Sequence, residues 1–241
     1  MRPHPTISVA SALSITALLT FSGCGSASTP TAEPSAAVSS KAETGVSDDV
    51  HYRARWADGP IDLMSPTGTF IRAFTESYFL AVVESSDTKA FPGYARANRD
   101  REIRQYGQNN VFKKTVDIGM KLIHVDNQNG DTAVARVCYD GIDQLDYSDY
   151  PPMLSPQNPQ TRGTGIFLIT FHRTGTTPPP NQRGPLSGPL TDVFGGWYAT
   201  KLTSTWHDDD PTKPHPKAEC GTMPDLTKPG TSTPGWPKRG E

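Results

Sequence analysis

The side chains able to do chemistry in this sequence are a Ser-x-x-Lys, two runs of aspartate, a few isolated histidines and three cysteines. Ser86-Asp87-Thr88-Lys89 has the spacing in which a lysine one helical turn away activates a serine nucleophile. That chemistry needs the serine to open a buried helix, whereas Ser86 follows the end of one, and no companion S-x-N element accompanies it. Asp140, Asp143, Asp146 and Asp149 recur at intervals of three, and His207-Asp208-Asp209-Asp210 forms a second acidic run. Converging carboxylates bind hard cations such as Ca²⁺. This series lacks the EF-hand glycine and terminal glutamate, and a three-step on an extended chain scatters its side chains, so solvated loops are expected. His124 and His172 fall in predicted strands, where either could be a general base if it faced a pocket; the plainer reading is structural. No HExxH, GxSxG, phosphate-loop or dinucleotide fingerprint occurs, and no metal or cofactor is expected.

The cysteines follow from the N-terminus. Met1 to Pro5 carries one fixed positive charge, and Ile7 to Phe21 contains no ionisable residue. This is an n-region and an h-region, too short for a permanent membrane span, and residues 1–23 read as a signal peptide. The junction Phe21-Ser22-Gly23-Cys24 resembles a lipobox, in which small residues precede a cysteine that is lipidated and becomes the new N-terminus. Phe21 stands where leucine is usual; ordinary secretion with cleavage after Ala27 is the alternative. The resemblance implies a diacylglyceryl anchor on Cys24, and two acyl chains are what stable anchoring takes. With Cys24 assigned to lipid, Cys138 and Cys220 remain as an even pair in an oxidising compartment. Their disulfide would close a loop of about 82 residues, a constraint of roughly 4.5 kcal/mol in the chain-entropy treatment.

Of the 241 residues, 23 are Pro and 21 are Gly, and hydrophobic residues make up only 34%, so much of the chain must be loop or linker. The formal charge of −2 gives no reason to expect a nucleic-acid partner. Residues 24–50 are Ser, Ala, Thr, Pro and Glu without apolar periodicity, a disordered tether with a reach of about 25–30 Å. A single domain is expected over 51–222 and a disordered Pro-rich tail over 223–241.

Within the domain, Ser65-Pro66 predicts a helix start. Phe70, Ile71, Phe74, Tyr78, Ala81 and Val82 then form an apolar stripe at helical spacing to about Glu84. A second helix is expected from Phe91-Pro92-Gly93 to about Tyr106, with Arg96, Arg99, Arg101 and Arg104 on a solvated face. Period-two alternation from Phe112 to Leu122, the Asn129-Gly130 turn and a return strand to Tyr139 predict a hairpin. Two further strands are expected over Gly165–Arg173 and Gly196–Trp206.

Helices followed by a meander give an α+β class: N-terminal helices packed on a curved antiparallel sheet of four or more strands. The order resembles the cone-shaped domains like nuclear transport factor two, with a helix in the hollow of the sheet. The whole layout resembles lipoproteins of actinobacteria of the mycobacterial type. These likenesses imply a lipid-anchored module on the extracytoplasmic face of the cell membrane, not an enzyme, binding an envelope protein or a small hydrophobic ligand. In the cone layout Phe70, Phe74, Tyr78 and His172 could line a pocket; the plainer reading of the aromatic stripe is core packed on the sheet. The alternative is a small cone-type enzyme acting on a hydrophobic substrate.

Overall fold

A computed structural model describes residues 46, 50–100, 115–140, 165–205 and 216–240, all within one compact unit spanning Val38–Glu241. The leader, Cys24, nearly all of the tether, Arg101, Arg104, Phe112, the aspartates at 143, 146 and 149, Trp206 and the run 207–210 lie outside the described residues.

Five strands form one sheet in chain order: β1 (His51–Trp56), β2 (Thr115–Asn127), β3 (Thr132–Asp140), β4 (Gly165–His172) and β5 (Tyr198–Thr205). The class is α+β, but the sheet is mixed. β2 to β5 pair antiparallel, whereas β1 runs parallel to β2, His51 facing Thr115 and Trp56 facing Met120. The expectation of a purely antiparallel sheet is corrected here. β1 was not foreseen as a strand, although Tyr52, Ala54 and Trp56 alternate with His51, Arg53 and Arg55 and only the first three are buried. A long helix separates β1 from β2 in the chain, and such a crossover is what returns a strand in the same direction.

That helix, α1 (Pro66–Glu84), begins as its sequence dictates. Ser65 is extended, with its side chain accepting from the Gly68 amide at 3.0 Å, and Pro66 opens the first turn. It ends at Ser85 in the left-handed region, where the amides of Ser85 and Ser86 reach back to Val82 and Ala81. The stripe packs on the sheet: Phe70 stacks on Phe171 at 5.2 Å, and Tyr78 meets Phe167 edge-on at 5.2 Å. Among the described residues no helix is long and apolar enough to cross a membrane.

The second expected helix is much shorter. α2 covers only Tyr94–Ala97, and Asn98 turns extended. The chain then runs along the open edge of β5, Asn98 bridging Ala199 and the Asp100 carboxylate accepting from the Leu202 amide at 2.7 Å. Unpaired strand amides outcompete continuation of a polar helix. Of the arginines, Arg96 pairs with Asp192 at 2.7 Å and Arg99 lies 3.4 Å over the Tyr198 ring.

The expected wandering tail is also corrected. Residues 216–240 form a belt around the sheet. It starts at α3 (Pro216–Cys220), where Cys220 is disulfide-bonded to Cys138 on β3 with Cα atoms 5.8 Å apart. Cys138, Ile166 and Cys220, with Ile123, Leu168 and Met223 against them, make a small second apolar cluster. Arg53 and Arg55 then donate to the carbonyls of Asp225, Leu226 and Lys228. Next the belt pairs with the β1 edge: the Thr233 amide bonds Ala54 at 2.9 Å and the Trp56 amide bonds Thr233 at 2.7 Å. It ends with Trp236 fully buried in the main core. The high proline count suggested disorder, but Pro-rich chain is already extended, and here it has an open strand edge and a core socket to occupy.

Candidate functional site

The pocket expected at Phe70, Phe74, Tyr78 and His172 is not built. Phe70 and Phe74 have 0% exposure; a side chain facing a void large enough for water would retain accessible surface. Their rings are in contact with Phe171, Phe194, Trp197 and Tyr94 instead. Tyr78 is half-buried against Phe79 and Phe167. His172 is elsewhere: it stacks on Tyr198 and lies within 3.2 Å of the Thr132 hydroxyl and 3.4 Å of that of Thr200. His124 is exposed and pairs with Asp126 at 2.6 Å. Lys89 pairs with Glu84 at 2.8 Å while the Ser86 hydroxyl meets Thr88, so the Ser-x-x-Lys spacing assembles no nucleophile. No group of three metal-ligating side chains occurs among the described residues.

The concave site lies beside the end of β1. It is a cleft of about 660 Å³ lined by Trp56, by the loop from Asp58 to Met64 that leads into α1, by Arg183 and Gly184, and by Thr231–Gly235 of the belt. This volume is within the roughly 300–1,000 Å³ of small-molecule sites. Local chemistry fixes each wall. The Asp62 carboxylate accepts from the Met64 amide at 2.8 Å and its carbonyl accepts from the Ser65 hydroxyl at 2.6 Å, which sets the loop at the helix start. Gly184 and Gly235 let belt and loop touch, since a Cβ on either would fall within 2.5 Å of a facing carbonyl oxygen.

Behind the cleft lies a buried polar network. Glu76, 1% exposed on α1, accepts from Tyr52 Oη at 3.0 Å, Trp56 Nε1 at 2.9 Å and Trp236 Nε1 at 2.9 Å. One turn earlier Arg72, fully buried, donates to the carbonyls of Gln182, Pro234 and Gly235 at 2.7, 2.8 and 3.2 Å. Its guanidinium lies 4.3 Å over the Trp236 ring, and its Nε is 3.9 Å from Glu76. Burial pushes the Glu76 carboxyl above its ordinary range, while Arg72 and the three donors hold it down. Burial and the neighbouring Glu76 push the Tyr52 phenol well up. Arg72 is lowered by burial and raised by Glu76; a guanidinium at such a site stays charged. This network ties the strand (Tyr52, Trp56), the helix (Arg72, Glu76), the 182–184 loop and the belt (Trp236) together around one carboxylate.

The cleft residues offer two carboxylates, one guanidinium and three hydroxyls, with no imidazole or thiol among the described lining. The Ser232 hydroxyl is occupied by the Ala54 amide at 3.1 Å, and that of Thr233 donates to the Thr231 carbonyl. Sequence reasoning missed this site because its parts come from three separate stretches of chain, 56–64, 183–184 and 231–235. One signal was present: Arg72 and Glu76, four apart beside the apolar stripe of a core helix, are rarely buried unless paired. The chain matches no known family, no curated protein and no solved structure.

Proposed function

We propose that this chain is a lipid-tethered, extracytoplasmic binding module that takes a small ligand in the cleft beside Trp56. One observation carries the binding half: a 660 Å³ concave site whose walls come from three stretches of chain, each tied to the buried Arg72–Glu76 network through Trp56, Gln182 or Pro234. Pre-organised walls reduce the entropy lost when a ligand is held. Support for the tether is the leader, the lipobox-like junction and the cysteine balance: Cys138 and Cys220 pair in the fold, leaving Cys24 as the remaining cysteine of three. The cone-type enzyme reading has less support, since the helix-on-sheet hollow where its substrate would sit is filled by rings with no accessible surface.

The cleft is tested by native mass spectrometry of the full chain, purified gently from the membrane fraction, against a Met64→Trp variant that fills the cleft. A small-molecule adduct on the wild type that disappears in the variant is expected. Identical masses for both would contradict the assignment.

A further inference from the structure

Resting on that reading of the cleft, we infer that its ligand is a zwitterion, an α-amino acid or short peptide with free termini. The cleft carries charge of both signs without neutralising it. Arg183 and Asp58 both line it, both are exposed, and neither makes a hydrogen bond or ion pair with any described residue. Asp62 adds a second carboxylate, of which one oxygen accepts from the Met64 amide. Arg72 behind the cleft is already compensated by Glu76, so Arg183 supplies the uncompensated positive charge that an anion would meet. A guanidinium fork matches a carboxylate bidentately, and an ammonium group matches the aspartates. Ile61, Leu63 and Met64 line the same cleft and supply apolar surface for the side chain. A ligand with one charge would leave the other pole solvated and unused. One with no charge would have to displace water from both.

Isothermal titration calorimetry on the full chain tests this, with L-leucine, Ala-Leu and Ala-Ala-Leu as probes, their N-acetylated and C-amidated forms, and maltose as a neutral control. Free peptides should bind, and each cap should weaken binding about tenfold, the size of one charge-assisted contact at a partly exposed site. Arg183→Gln should abolish sensitivity to amidation and Asp58→Asn sensitivity to acetylation; both positions are at the surface, so both variants fold. Capped peptides binding as tightly as free ones, or no peptide binding at all, overturns the inference. If maltose alone binds and Met64→Trp abolishes it, the zwitterion is wrong and the cleft stands. If peptides bind equally well to Met64→Trp, the cleft itself is not the site.

Discussion

Glu76 is the acceptor on which β1, α1 and the belt converge. It accepts hydrogen bonds from three donors, two on β1 and one on the belt, and it sits beside a cation with no exposure of its own. Glu76→Ala should destabilise the fold by about 3–5 kcal/mol, because it strands a buried arginine as well as removing bonds; urea unfolding measures this. The pH dependence has a definite sign. Burial raises the folded-state pKa of Glu76 above its ordinary value of 4.5, so the folded chain holds that proton more tightly than the unfolded one. Its contribution is complete below that value and declines as pH rises through the raised one. Glu76→Gln should flatten that decline in melts taken from pH 4 upward. By contrast Ser65→Ala, which removes the helix cap and the hydroxyl's bond to the Asp62 carbonyl, should lose about 0.5–2 kcal/mol at every pH.

At the scale of elements, the belt is held at its two ends by different chemistry, a disulfide at Cys220 and an indole in the core at Trp236. The two should separate experimentally. Replacing Cys138 and Cys220 with alanine should cost roughly 2–5 kcal/mol and speed amide exchange over 216–228 first. Trp236→Ala should cost about 3–5 kcal/mol and release 231–240, taking one wall of the cleft with it. Exchange mapped by mass spectrometry checks both. The helix α1, the hairpin and β4 were legible because each signal is local: a cap, a 3.6-residue stripe, a period-two run, an Asn-Gly turn. The belt was not, because its order comes from partners more than 100 residues away, such as Ala54 for Thr233 and Glu76 for Trp236. A tryptophan in a stretch otherwise read as disordered was the signal to weigh more heavily. β1 failed for a similar reason: six residues with three polar members look like an edge until the belt that covers it is known.

At the largest scale, the helix and sheet supply a solid core, and the cleft lies at the rim where belt and loops meet. The aromatic stripe is a helix face whose Phe70 and Phe74 rings are core, as its plainer reading expected, and the cleft lies elsewhere. Spacing within one element cannot reveal a cleft assembled from Trp56, Asp62, Arg183 and Pro234. Any role for that cleft depends on where the chain is held, which makes the anchor the central claim. It is tested most directly by mass spectrometry of the N-terminal peptide from protein extracted from membranes. The account predicts a chain beginning at Cys24 and carrying a diacylglyceryl mass; an unmodified N-terminus at Ser28 would contradict it.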